Sequence, residues 1–277
     1  MHAKLFKLQR LLGYFLGFLL FYEPFMFFNS LFAQLFPANG FYSLHVPCAR
    51  IPIAHLITGA FAADAPASLL FCLLLAIFSF WFGPLFCGRL CPAGAFSEFL
   101  GSLLPEKYQI DWNKYVPVTT LRYGFLAGFL LITFLGLAYP CVYCNYYAFE
   151  LFVLSIASGQ LLLTSMSLLA VFLISNIVLG LFTKGGRGYC NFLCPVGAVS
   201  SLLHNIGQLL PGPFRMTVNK NACINCGKCA RSCPMRTISI QNGKAVIDTS
   251  RCIVCGCCQA QCPAQAIRYK SNIAKEQ

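Results

Sequence analysis

From Cys223 the chain reads CINCGKCARSCP, and from Cys252 it reads CIVCGCCQAQCP. Both fit C-x2-C-x2-C-x3-C-P, the second through Cys252, Cys255, Cys258 and Cys262 with Cys257 left over. Three thiolates spaced two residues apart on a tight loop can converge on one face of an iron–sulfur cubane. Small residues between them let backbone amides approach the sulfurs. In two-cluster chains with this run, the fourth cysteine of each motif ligates the other cluster. The expected sets are Cys223, Cys226, Cys229 and Cys262 for one [4Fe–4S] cluster, and Cys252, Cys255, Cys258 and Cys233 for a second. A zinc ribbon also uses paired C-x2-C, but has no use for eight cysteines in this doubled order with two trailing prolines. Cys257 reads as a small packed residue. Between the motifs, TISIQNGKAVIDTS alternates around Asn242-Gly243, a hairpin signal.

A second cysteine pattern occurs twice. Cys87 to Pro92 reads CGRLCP and Cys190 to Pro195 reads CNFLCP, each after a long apolar run and before a similar tail, AGAFSEFLG or VGAVSSLL. Shared spacing, proline, Gly-Ala pair and location argue for an internal duplication. Two such copies related by an axis along the membrane normal would bring Cys87, Cys91, Cys190 and Cys194 together at the cytoplasmic end of the bundle. Four thiolates of this kind select an iron–sulfur cluster or zinc. One shared cluster is the expectation, with redox-active thiol pairs or a metal held by fewer of them as alternatives.

The elements that must position these residues follow from composition. The chain has 277 residues, 58% of them hydrophobic and 10% charged, with a mean hydropathy of +0.68. That is far below the usual charged share of a soluble domain. Four stretches, about 11–36, 67–84, 119–139 and 160–183, have the length and apolarity expected of membrane spans. The apolar segment around Pro52 and Gly59 reads as surface-lying or re-entrant, and the first run as an anchor and not a removed leader. Lys4, Lys7, Arg10, Arg89, Lys107, Lys114, Arg122, Lys184 and Arg187 fall on one side of these runs, whereas the two opposite loops contain only Arg50. The net charge of +12 then marks a cytoplasmic face and not a nucleic-acid partner. The expected fold is an all-α, four-helix integral membrane core with internal duplication over 1–210. A cytoplasmic α+β ferredoxin domain with two [4Fe–4S] clusters follows over 211–277. The expected location is the inner membrane, with both termini cytoplasmic.

The opposite loops contain Cys48 and the pair Cys141 and Cys144 in CVYC, with Cys72 near one apolar end. They could form a disulfide, a metal or cluster site, or a thiol redox pair. His45 and His55 read as solvated or capping residues. Glu23 and Glu150 are the carboxylates that could exchange protons with a quinone.

Four spans, two C-x3-C-P motifs and a terminal pair of ferredoxin motifs resemble the membrane polyferredoxins of the NapH type and the core of NosR-type proteins. The resemblance covers nearly the whole chain; the outer cysteines depart from it. It implies an electron-transfer subunit of a respiratory oxidoreductase, such as a quinol dehydrogenase component, with quinone and other redox subunits as partners and lipid around the core. The same wire would serve a protein that donates electrons to metalloenzyme assembly. A thiol–disulfide reductase using CVYC and Cys48 is the third reading. No nucleotide loop, nicotinamide fingerprint or hydrolase constellation occurs.

Overall fold

The first helix, α1 (His2–Phe21), begins among the basic residues Lys4, Lys7 and Arg10 and runs into the apolar stretch behind them. A computed structural model describes residues 2–22, 65–135, 143–163 and 165–271, with positions 25, 27, 30, 31 and 34. After α1 come α2 (Ala65–Phe82), a widened π-type turn over Phe86–Leu90 and α3 (Pro92–Leu103). Next are α4 (Val118–Leu135), α5 (Asn145–Ser158) and α6 (Met166–Leu173), the last continuing as a π-type helix over Ile174–Leu181. The short α7 (Gly188–Phe192) and α8 (Pro195–Gly207) complete the helical part. Pro92 and Pro195 occupy the first turns of α3 and α8, where a missing N–H costs nothing and a fixed φ helps the helix start.

The two copies pack reciprocally. α8 of the second copy lies on α2 of the first, and α3 of the first lies on the π-type helix 174–181 of the second. Buried polar links fix the second contact. The Ser97 hydroxyl bonds Asn176 Oδ1 at 2.9 Å, and Asn176 Nδ2 donates to Asn145 Oδ1 at 2.9 Å.

The C-terminal part is built from β1 (Phe214–Val218), β2 (Ile238–Gln241), β3 (Lys244–Ile247) and β4 (Ile267–Ser271). Two short helices, α9 (Lys228–Ser232) and α10 (Cys257–Ala260), stand between them. β1 pairs antiparallel with β4, Met216 opposite Tyr269, and β2 with β3, Ile238 opposite Ile247. Asn242 and Gly243 turn the hairpin with φ of 49° and 71°, as its two-residue turn requires. Met216, Met235, Ile253, Val254 and Ile267 are buried at its centre.

The expected four-span membrane core is not found. Among the described residues no helix is long and apolar enough to cross a membrane. α2 and α4 have 18 residues each, about 27 Å at 1.5 Å per residue, against a hydrocarbon core of about 30 Å. The run 160–183 is helical only from Met166 and changes winding at Ile174. Of the run 11–36, residues 11–21 belong to a helix that starts at His2 and ends at Phe21. The inner-membrane location and its orientation rested on those spans and fall with them. Moreover, Arg122 and Arg187 are buried inside the protein, and Arg10 is held in an internal ion pair. These three were expected to mark a membrane face. Apolar side chains also line outward faces, including Leu11, Leu12 and Phe15 on α1 and Ile77 and Phe78 on α2. The segment around Pro52 and Gly59 lies outside the described residues.

Candidate metal centres

Each ferredoxin motif folds its C-x2-C turn the same way. Asn225 and Val254, the residues before the second cysteines, have φ of 57° and 49°. Arg236 and Gln265, three residues beyond the fourth cysteines, have φ of 51° and 48°. Such angles are rare outside glycine, most of all for a β-branched valine. Their recurrence at matching positions marks backbone bent to serve a site. Gly227 and Gly256, also left-handed, start α9 and α10.

The turns enclose two cavities. One is lined by Cys223, Cys226, Cys229 and Cys262 with apolar neighbours such as Val218 and Ala245. The other is lined by Cys233, Cys252, Cys255 and Cys258 with Met216 and Ile253. In both, three cysteines come from one motif and the fourth from the other. Among the described residues no three His, Cys, Asp or Glu side chains close on a single metal ion. A zinc site would need sulfurs at about 2.3 Å from one point, whereas these eight cysteines line two pockets, four to each. Backbone amides reach the sulfurs: Ala266 N–H donates to Cys262 Sγ at 3.3 Å and Thr237 N–H to Cys233 Sγ at 3.5 Å. Cys257 is not merely packed. Arg10 Nη1 donates to its sulfur at 2.9 Å, and a Cys257 hydrogen bond, with Arg10 nearby, brings the Cys255 thiol down to about 6.

The repeated C-x3-C-P cysteines also come together. Cys87 lies on the π-type turn and Cys190 in α7, while Cys91 and Cys194 cap α3 and α8. Cys87 is within electrostatic reach of Cys91 and Cys190, and Cys194 of all three. Burial first, then these neighbours, push the Cys87 thiol up to about 12. The group therefore needs a compensating cation to become the thiolates that bind metal.

Two buried arginines supply positive charge. Arg187 is fully committed: Nε to Glu98 at 2.8 Å, Nη1 to the Cys87 carbonyl at 2.7 Å and Nη2 to the Tyr14 hydroxyl at 2.7 Å. Glu98 also takes two bonds from Arg10 at 2.7 Å. Arg122, 1% exposed, donates only through Nη2, to Ser201 Oγ at 3.1 Å. Among the described residues its Nε and Nη1 have no hydrogen-bond partner, and its electrostatic neighbours are Cys194, Tyr123, Cys87 and Cys190. The equivalent glycines of the two copies make room for these cations. A Cβ on Gly94 would meet Arg187 Nη1 at 2.5 Å, and one on Gly197 would meet Arg122 Nη2 at 3.1 Å.

Cys144 caps α5. It was expected far from the C-x3-C-P cysteines, yet Tyr189 lies within electrostatic reach of Cys144, Cys194 and Cys190 alike. Glu150 is buried near Tyr22 and Tyr146. Cys48, Cys141, His45, His55 and Glu23 lie outside the described residues. Sequence reasoning missed the site roles of Arg122, Arg187 and Glu98. A signal was present: arginine, not lysine, stands inside VTTLRYGF and three residues before Cys190 in GGRGYC.

Comparison with known proteins agrees with this geometry. A family model described as a 4Fe-4S dicluster domain matches residues 215–264, and the chain carries [4Fe–4S] clusters in that domain. A model described as a 4Fe-4S binding domain matches twice, at 64–110 and 164–213, once over each C-x3-C-P copy. YccM of Escherichia coli, named as an electron transport protein, is 28% identical over 189 residues, covering 65% of this chain and 50% of its own. MauN of Methylobacillus flagellatus, a methylamine utilization ferredoxin-type protein, is 30% identical over 192 residues, covering 66% of this chain and 59% of its own. MauN of Methylorubrum extorquens is 28% identical over 186 residues, with 66% and 58% covered. The chain thus spans between half and three-fifths of these relatives' lengths. No solved structure matches it. The chain is similar to 4Fe–4S ferredoxin-type electron transport proteins.

Proposed function

We propose that the chain is a three-centre electron relay and serves as the electron-transfer subunit of a respiratory oxidoreductase of the kind the NapH and NosR resemblance implies. The observation that carries the reading is contact between the cysteine sets. Cys87 and Cys190 pack in the same apolar cluster as Cys229, Cys233, Cys255 and Cys258, and Gly88 abuts the backbone of Ile253 and Cys255. The proposed ligands are Cys223, Cys226, Cys229 and Cys262 for the outer cluster, and Cys233, Cys252, Cys255 and Cys258 for the middle one. Cys87, Cys91, Cys190 and Cys194 hold the third. The boundary between helical core and ferredoxin domain is placed near residue 210.

When bound, the clusters supply one-electron chemistry, and the protein supplies spacing, hydrogen bonds and burial. Arg122 offers two unpaired N–H groups beside the third set. A buried guanidinium left in that state is costly, and an anionic, thiolate-ligated cluster satisfies it. Arg10 links the middle and third sets by donating to Cys257 Sγ and to the Gly88 carbonyl, the latter at 3.2 Å. Quinone and the partner redox subunits enter through the resemblance; no described residue identifies their sites.

Iron and acid-labile sulfide analysis of the anaerobically purified full chain tests the reading. About twelve of each per chain are expected for three cubanes. Cys87→Ser or Cys190→Ser lowers the iron count to about eight while the ferredoxin signals persist. A count of about eight in the unaltered chain removes the third centre.

A further inference from the structure

We propose that the basic groove beside the Cys223–Cys226–Cys229–Cys262 cavity docks an acidic one-electron carrier protein, which exchanges electrons with the chain there. The inference rests on the relay reading and adds its point of entry and the chemistry of the partner.

Four observations carry it. The groove is lined by Lys220, Arg268 and Lys270 with Thr217, Asn219 and Gln265. It shares Val218, Ala264 and Ala266 with the lining of the cluster cavity, so a single layer of small or branched side chains separates the two. This cysteine set is also the outward one. Cys226 is exposed and Ile224 is 64% exposed, whereas Cys233, Cys255, Cys258 and Cys87 are buried. Finally, residues 211–277 contain ten lysines and arginines against Asp248 and Glu276.

The groove's cations are not consumed internally. Arg236 and Arg251 pair with Glu106 and Asp248, but among the described residues Lys220, Arg268 and Lys270 take part in no ion pair. A one-sign field around a site of electron exchange concentrates oppositely charged partners and speeds their encounter. The groove lining has no aromatic side chain on which a nucleic-acid base could stack, which favours a protein. The exchange is simple in balance: the carrier's reduced iron–sulfur or flavin centre loses one electron and the adjacent cluster gains it. No bond or proton need be exchanged.

The test is stopped-flow reduction of the full chain by a reduced, acidic plant-type [2Fe–2S] ferredoxin, with methyl viologen radical as a small control donor. The ferredoxin rate constant is expected to fall at least tenfold as salt rises from about 20 to about 500 mM. At low salt, Lys220→Glu combined with Arg268→Glu slows it about tenfold or more, with unchanged iron content and a viologen rate within about twofold of the parent. A salt-independent rate, or a double variant as fast as the parent, overturns the docking site. Equal loss with both donors also overturns it, because the charges would then act on the cluster and not on docking. Stronger competition by duplex DNA than by excess oxidised ferredoxin reassigns the groove to nucleic acid. Failure of viologen to reduce any centre sinks the relay itself, an outcome distinct from the others.

Discussion

Arg122 stands four residues inside an otherwise uncharged helix, buried, with two donors unpartnered among the described residues and thiols among its electrostatic neighbours. Reduction adds negative charge to a cluster, so a nearby fixed cation favours the reduced form. Arg122→Gln is therefore expected to lower the midpoint potential of the third centre by about 59 mV, a tenfold change in the reduced-to-oxidised ratio. Arg122→Lys restores most of it. Redox titration followed by electron paramagnetic resonance reads both. Glu98 is the counterpart on the other side. Burial alone would raise its carboxyl, but Arg187 and Arg10 outweigh that and hold it below the usual range. Since its folded value lies beneath the unfolded one of about 4.3, its stabilising contribution is complete at neutral pH. That contribution is lost as pH falls below about 4. Glu98→Gln leaves the fully buried Arg187 without its carboxylate, at about 2–4 kcal/mol after allowance for the partial exposure of Glu98. Thermal unfolding should show a constant gap between the two proteins from about pH 8 to 5, closing at lower pH.

At the scale of elements, the close approach of Phe86–Leu90 to the second ferredoxin turn would set the spacing between the proposed middle and third centres. A Cβ on Gly88 would collide with the Ile253 carbonyl and come within 3.0 Å of Cys255 Cα. Both neighbours are backbone, which cannot swing aside as a side chain would. Gly88→Ala should destabilise the chain by about 1–3 kcal/mol and slow electron passage to the third centre while leaving the cluster count intact. Freeze-quench spectroscopy after reduction through the ferredoxin domain would show it as a lag. The Asn242-Gly243 hairpin was legible from two residues because only a few turn types accept such a pair. The break at Ile174 was not: SLLAVFLISNIVLGLF reads as one continuous apolar run. The change of winding there accompanies Asn176, buried and bonded to Ser97 and Asn145, partners that lie far away in sequence.

For the whole molecule, hydropathy suggested spans, whereas the described helices are too short or too interrupted to cross a membrane. Hydropathy averages over a window and cannot tell whether an apolar residue packs against a neighbouring helix or faces outward, and both occur here. The same averaging hid the arginines, because a charge in a sequence is equally compatible with a surface and with a buried network. Reciprocal packing of the two copies makes a further expectation: Gly197→Leu should displace Arg122 and impair assembly of the third centre alone. Iron content would fall by about four per chain while the ferredoxin domain keeps its signals.

By itself the sequence determined the cysteine motifs, their spacing, their repetition and the hairpin. These are set by covalent spacing and local backbone geometry, which neighbouring residues alone can specify. The tertiary structure decided which cysteines face one space, that the C-x3-C-P copies meet beside the second ferredoxin turn, and that Arg122, Arg187 and Glu98 surround them. It also decided where the apolar runs stop being helices. Those outcomes depend on contacts between residues as far apart as Arg10 and Cys257, where no local pattern carries the information.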